Sequence, residues 1–284
     1  MIRPSRPGDE AALKHLWQIA FGDSPDVINH FFARLYQPGK AILWAEGESI
    51  ASAIYLLDAG STAPAGGKTL STAYAYALGT LPEYRGRGLG SQVTKAAITH
   101  SFTMGFDCNV ICPAEESLFP YYTRLGYTHF IPISEGREKR LKNQSTIFMN
   151  QVMSTSFSAY FQLRHSLIPP SSTTYPLNFL RYVGEAGEIT GGGFYQFGPG
   201  GQLGCAATEW RGEELFIREI LPASIAGQGV QALMEHLNAP SAIYRTISTS
   251  EIPPTAAHRP FALMAFAEEQ HQATDDWYFP FVLD

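Results

Sequence analysis

Long apolar runs are missing from the 284 residues: no stretch approaches the ~18 apolar residues of a membrane-spanning helix, and the opening MIRPSRPGDE carries no apolar signal region. Cysteine is scarce. Cys108, Cys112 and Cys205 are an odd number in neither disulfide-framework nor zinc-site spacing, so a reducing, cytoplasmic compartment and no metal are expected. Cys108 and Cys112 fall on one face of a strand at FDCNVICP, where thiols act as small hydrophobes. Charge is thin at 16% of residues, and its net value of −6 gives no footing for nucleic acid or an anionic membrane. Gly and Pro follow no period, which excludes collagen-like repeats. What is abundant is apolar content, 45% of residues, which suits a large core and excludes a disordered or coiled-coil chain. At roughly 100 to 200 residues per domain, two domains are expected.

The two halves differ in charge. Residues 1–150 carry a net +1 and residues 151–284 a net −7, with no lysine after Lys142. An acidic second half, with Glu209, Glu213, Glu214 and Glu219 near one hairpin, either draws a cationic substrate toward a shared cleft or serves solubility.

Hydrophobic periodicity outlines an α/β chain. IRPSRPGDEAALKHLWQIAFG reads as a short strand, a turn and an amphipathic helix with Asp9 as N-cap; Pro25 to Tyr36 is a second helix. A hairpin (AILWAEG, SIASAIYLLDAG) and a strand through TLSTAYAYALGTL follow, then a Gly-rich turn, a helix with Val93, Ala96, Ala97 and His100 inward, and the strand FDCNVICP. SLFPYYTRLGYTHF gives a short helix, Gly126 and a further strand, and the charged segment Ser134 to Asn143 reads as a connector or solvated edge. Beyond Phe157 come a Pro- and Ser-punctuated helical stretch, three strands in GGGFYQFGPGGQLGCAATEWRGEELFIREILP, a helix at GVQALMEHL, a strand at SAIYRTIS and a closing strand at DWYFPFVLD. This order echoes the first half, as a duplicated α/β unit would.

Chemistry concentrates at Arg85-Gly86-Arg87-Gly88-Leu89-Gly90, between a strand and a helix. Glycines there let the backbone approach a ligand, and a helix start aims unsatisfied N–H groups and a positive dipole end at it. Arg85 and Arg87 add donors matched to phosphate oxygens. Many plain strand-to-helix turns also carry two glycines. Neither the Rossmann spacing nor the kinase P-loop fits, since Leu89, Gly90 and Ser91 stand where the latter needs Gly-Lys-Ser/Thr.

The string resembles the acetyl-coenzyme A loop of the GCN5-related N-acetyltransferases (GNAT), whose pattern of Gln or Arg, two residues, Gly, one residue, Gly or Ala is met by Arg85, Gly88 and Gly90. YYTRLGY is similar to the family's tyrosine helix, with Tyr122 four residues before the Gly126-Tyr127 pair. The resemblance covers about the first 150 residues. It implies a mixed, mostly antiparallel sheet flanked by helices, and acetyl-CoA as acyl donor bound by Leu78, Gly79 and Thr80 on a splayed strand and by Arg85, Gly86, Arg87, Gly88, Leu89, Gly90 and Ser91. Tyr122 is implied as the acid protonating the departing thiolate; the alternative is a core aromatic. Two features depart from the family. Glu115 stands where many members carry asparagine, and no Asp or Glu lies between Leu70 and Leu81 to act as base.

The tandem arrangement looks like that of the enhanced-intracellular-survival acetyltransferases, which usually add a third, sterol-carrier-like region whose terminal carboxylate reaches the active site; 284 residues are too few for a full one, and Asp284 with the terminal carboxylate is the base the resemblance suggests. Domains are expected at 1–150, a GNAT domain, and 155–284, a degenerate GNAT-like domain in which Ser224-Ile225-Ala226-Gly227-Gln228-Gly229 keeps the glycine spacing but has Ser where Gln or Arg belongs. The expected activity is N-acetyl transfer to a primary amine by direct attack in a ternary complex. Its acceptor could be an aminoglycoside-like polyamine, a peptide N-terminus or a small metabolite, with no nucleic-acid or membrane partner and with homo-oligomerisation left open. The alternatives are an aminoacyl-tRNA-dependent transferase, disfavoured by the acidic charge, and a non-catalytic acyl-CoA-binding protein.

Overall fold

Helix starts and stripes follow the local chemistry of the sequence. In a computed structural model, which describes residues 1–47, 49–62, 68–141, 152–169, 171–198, 201–248, 253–268, 277–281 and 283, the first half runs β1 (Ile2–Pro4), α1 (Glu10–Phe21), α2 (Pro25–Arg34), β2 (Ala41–Glu46), β3 (Ser49–Thr62), β4 (Leu70–Thr80), α3 (Leu89–Thr103), β5 (Cys108–Ile111), α4 (Phe119–Thr123) and β6 (His129–Lys139). The second half continues with β7 (Val152–Ser154), α5 (Phe157–Leu167), α6 (Leu177–Ile189), β8 (Gly193–Phe197), β9 (Gly204–Arg211), β10 (Glu214–Leu221), α7 (Ala226–His236), β11 (Ser241–Thr246) and β12 (Ala256–Phe266). Ser24 caps α2 by accepting from Val27 N, and Pro25 sits at the helix start, where a missing N–H costs nothing. The α2 stripe of Ile28, Phe31 and Phe32 packs on Trp17 of α1, whose ring centroid lies 4.5 Å from that of Phe31. Asp9 precedes α1 as expected, but its carboxylate binds the Arg3 guanidinium and Arg6 N instead of the helix's own N–H groups. Among the described residues no helix is long and apolar enough to cross a membrane.

Among the described residues, twelve strands join one sheet in the order β1-β2-β3-β4-β5-β12-β6-β11-β10-β9-β8-β7. That order reads alike from both ends: β1 to β4 are antiparallel and β4 runs parallel to β5, while β7 to β10 are antiparallel and β10 runs parallel to β11. At the centre each half lends its last strand to the other. β12 lies antiparallel between β5 and β6, and β6 between β12 and β11. The duplicated α/β unit is therefore written into the topology.

Three readings of the sequence need correction. Ser134 to Lys139 are no connector or solvated edge: they lie in β6, inside the sheet, while Asn143 falls outside the described residues. The charges of β6 are met by neighbouring strands, Glu135 by Arg245 and Arg259, and Glu138 by Thr255 Oγ1. Gly136 admits the Tyr244 ring, which stands 2.5 Å from where a Cβ would be. Second, β12 is a long strand that the periodicity does not announce. Third, residues 277–281 and 283 join no ladder of the sheet; instead they drive Trp277, Tyr278, Phe279 and Phe281 into the core, with Phe281 N donating to Tyr175 Oη and Leu283 N to Tyr74 Oη.

That C-terminal segment leans on a buried ion pair. Arg164 on α5 donates to both carboxylate oxygens of Glu219 on β10 at 2.8 and 3.1 Å, Tyr160 Oη donates to the same carboxylate, and the guanidinium lies over Tyr175 and Phe281. Arg164→Leu strands a fully buried carboxylate and should cost about 3–5 kcal/mol. Lys68→Ala, which removes an exposed partner of Asp107, should cost about 0–1 kcal/mol. Urea unfolding of the two variants checks this; equal losses would contradict it.

Candidate active site

Two parallel strands part at the middle of the first half. β4 and β5 pair from Thr72↔Cys108 to Ala75↔Ile111 and no further. β5 stops because Cys112 is followed by Pro113, which has no N–H to continue a ladder. β4 runs on to Thr80, still paired to β3 but with a register shift between Tyr76 and Gly79, where Ala77 sits at φ +50°. A positive φ is uncommon in an alanine and costs ~1–2 kcal/mol, a strain typical of functional backbone. Past Ala75, the β4 edge that faced β5 therefore borders a gap. Of the three strand residues expected at the donor site, Leu78 lines this gap. Gly79 lets α1 approach, since a Cβ there would stand 3.1 Å from Ala20 Cβ, and Thr80 turns its hydroxyl to Ser52 Oγ and its carbonyl to Arg85 Nε.

The Gly-rich turn leads into α3 beside the same stretch of β4, where a Cβ on Gly90 would stand 3.7 Å from Leu78 and Thr80 side-chain atoms. Gly86 and Gly88 take φ +76° and +72°, and no atom lies within 4 Å of where either Cβ would point. The first intrahelical bond of α3 runs from Gln92 N to Gly88 O, so the N–H groups of Leu89, Gly90 and Ser91 stand before it at the positive end of the helix. Arg87 is stacked over the Tyr84 ring, and Leu89 is buried as the hydrophobic anchor of the turn. Gly90 packs against α4: a Cβ there would touch Tyr121 Oη at 3.5 Å, and Ser91 Oγ donates to the same hydroxyl at 3.1 Å.

That contact sets Tyr122. Its ring is nearly buried, edge-on to Tyr121 and Tyr127, and the Tyr127 hydroxyl is pinned by donating to Asn109 Oδ1 at 2.7 Å. Burial, with smaller contributions from Tyr121 and Cys112, raises the Tyr122 phenol well above its ordinary pKa, so it keeps its proton at neutral pH and is a donor. Tyr122 faces a cavity of about 560 Å³, bounded by Tyr74 to Leu78 of β4 and by Ile111 to Ala114. Sequence reasoning did not find the rest of its wall. Asp23, in the turn between α1 and α2, accepts from Trp17 Nε1 at 2.7 Å and is the carboxylate that lines the cavity among the described residues. Arg211 of β9, Arg245 of β11, Arg259 and Phe261 of β12, and Leu283 come from the second half. Glu115 is exposed and does not line the cavity; Asp284 lies outside the described residues.

The counterpart region of the second half is filled by protein. β10 and β11 also part after Ile217↔Tyr244, but Thr246 Oγ1 donates to Ile220 O across the opening. At Gly229 a Cβ would stand 2.5 Å from the Phe197 ring, and at Gly227 it would stand 3.6 Å from Pro253. Gly229 thus serves packing, while Ser224 and Gln228 are exposed. Of the four acids near the hairpin, Glu219 is buried on Arg164, Glu209 binds Arg211 and Arg218, and Glu214 binds Arg137, while Glu213 is exposed.

Cysteine reactivity reports on this geometry. Burial pushes the Cys108 thiol up to about 12 and Cys205 higher still, whereas Cys112 is partly exposed in the cavity wall and donates to Phe261 O. Iodoacetamide on the folded protein, mapped by mass spectrometry, should modify Cys112 well before the other two. Modification of Cys108 or Cys205 at the same rate would contradict the placement.

Residues 1–130 match the family model of an acetyltransferase (GNAT) domain. No protein of curated function matches the chain in sequence. Solved structures share the fold over nearly the whole chain at low identity. A conserved Enterococcus faecalis protein described as a probable N-acyltransferase aligns with a TM-score of 0.69 at 14% identity, covering 95% of this chain and 73% of its own. Eis1 of Mycobacterium abscessus gives 0.63 at 16%, covering 94% and 73%, and a GCN5-related N-acetyltransferase of Kribbella flavida gives 0.62 at 13%, covering 93% and 70%. A strand gap, a Gly-rich helix start and a tyrosine helix converge in residues 1–130, the segment that matches the GNAT acetyltransferase domain model.

Proposed function

We propose that this protein transfers an acetyl group from acetyl-CoA to a primary amine by direct attack within a ternary complex. The observation that carries this reading is the β4–β5 gap, whose cavity is faced by the protonated Tyr122 phenol, while the α3 start packs beside Leu78 and Thr80 of the same β4 segment at Gly90. Gly86 to Ser91, with Arg85 and Arg87, would receive the pyrophosphate on backbone N–H groups and guanidinium donors. The β4 edge at Leu78 to Thr80 would take the amide groups of the pantetheine arm and hold the thioester in place. Acetyl-CoA supplies the electrophilic carbonyl and a thiolate leaving group. Tyr122 gives the thiolate its proton, which lowers the barrier to its departure. The attacking amine must lose a proton, and Asp23 stands in the same wall with Oδ2 held by Trp17.

Residues 1–150 are assigned as the acetyltransferase domain and 155–284 as a second unit without a donor site of its own, whose strands wall the acceptor side. The filled counterpart gap supports that division of labour.

Acetyl-CoA should raise the melting temperature, and Gly88→Glu, which puts bulk and negative charge beside the helix start, should abolish the shift. Equal shifts in folded wild type and variant would sink the loop assignment. Tyr122→Phe should keep the shift but slow turnover by ~10²-fold or more; an unchanged rate with a competent amine would return Tyr122 to a packing role.

A further inference from the structure

Resting on the acetyl-transfer reading, we infer that the acceptor is an amine with an apolar body, and that a second cavity beside the first receives that body. This cavity, of about 460 Å³, lies between α2 of the first half and α6 and β9 of the second. Asp23, Tyr76, Arg211 and Leu283 line both cavities, so the two adjoin at that quartet. An amine held at Asp23 has the Tyr122 cavity to one side and room for the rest of its molecule to the other.

The wall of the second cavity decides what the rest of the molecule is. Its charged side chains are matched within the protein. Glu209 accepts from Arg211 Nε and Arg218 Nε, both at 2.7 Å, and the His30 ring meets Glu185 Oε2 at 2.8 Å, to which Arg34 Nε also donates. Thr190 Oγ1 donates to Gly187 O and accepts from Trp210 N. A second ammonium, as in a polyamine, would find the Glu209 carboxylate already shared by two guanidiniums, and breaking such a pair strands one partner. What the wall offers instead is carbon and ring surface, from Val27, Tyr182, Val183, Ala186, Ile189 and Trp210. Tyr182 is held against α2 by stacking on His30, with 4.8 Å between ring centroids. Val27 and Ile189 are 37% and 59% exposed, so the cavity opens to solvent between the start of α2 and the end of α6. Apolar surface left in water at a cavity mouth favours a ligand that covers it with apolar surface of its own.

Release of CoA thiol at saturating acetyl-CoA, measured for n-butylamine, n-hexylamine, n-octylamine and spermidine, tests this. The value of kcat/KM should rise about two- to fourfold per methylene, and so by about tenfold or more from butyl to octyl, with spermidine below n-octylamine. Ala186→Phe, which fills the second cavity from α6, should bring the octyl-to-butyl ratio near one. Ile189→Asn, at an exposed position that tolerates a polar side chain, should lower the same ratio severalfold. A wild-type ratio near one, or spermidine surpassing n-octylamine, would overturn the inference. So would both variants keeping the wild-type ratio, whatever their rates, because these side chains would then serve the fold alone. If no amine releases thiol, the acetyl-transfer reading fails by itself, and titration calorimetry of n-octylamine and n-butylamine with CoA present decides the role of the cavity. Octylamine binding about tenfold tighter than butylamine in wild type, with the difference lost in Ala186→Phe, supports the inference; equal binding in wild type overturns it.

Discussion

The failure of β4 and β5 to stay paired is the constraint on which the site depends. A parallel pair continued past Ala75 and Ile111 would satisfy the β4 edge and leave no room between the strands. Pro113 ends one side of the ladder and the bulge at Ala77 turns the other, so the β4 edge past Ala75 is left without a β5 partner. Everything chemical is arranged around that opening. The glycines turn the chain into α3 without covering it, and the Gly90–Tyr121 contact brings α4 and Tyr122 against its inner end.

The exchange of β6 and β12 gives the opening its second wall. If each half kept its own last strand, Arg259 and Phe261 would sit in the sheet of the second unit, away from Tyr122. Because β12 pairs with β5, they line the same cavity. The two halves have diverged in the use of one plan. In the first the strand gap stays open, while in the second Thr246 bridges it and Phe197 occupies the space beneath Gly229. The proposed donor site in one unit and wall from the other rest on that difference.

What was legible in the sequence is what is local. The turn at Arg85 to Gly90 and the short helix of Tyr122 were legible in a few consecutive residues, because a turn into a helix and a tyrosine before a Gly-aromatic pair need only spacing to be recognised. Helices α1, α2, α3 and α7 were legible through their apolar stripes. β12 was not, since Pro260 and the small residues Ala256, Ala257, Ala262 and Ala265 blur the alternation. Ser134 to Lys139 looked solvated because their charges are matched by Arg245, Arg259 and Thr255, distant in sequence. Asp23 and the arginine wall carry no motif at all; only the folded chain gathers them. Nor does a net charge tell where its groups sit: Glu209 and Glu219 of the second half are held by arginines inside the fold, while Glu213 is exposed.

The most direct measurement of the account is amide hydrogen exchange with and without acetyl-CoA, followed by mass spectrometry. Bound donor should slow exchange at residues 76–80, along the open β4 edge, and at residues 86–92, at the α3 start, while leaving 224–230 unchanged. No change at 86–92, or protection at 224–230 instead, would contradict the assignment of the open gap as the donor site.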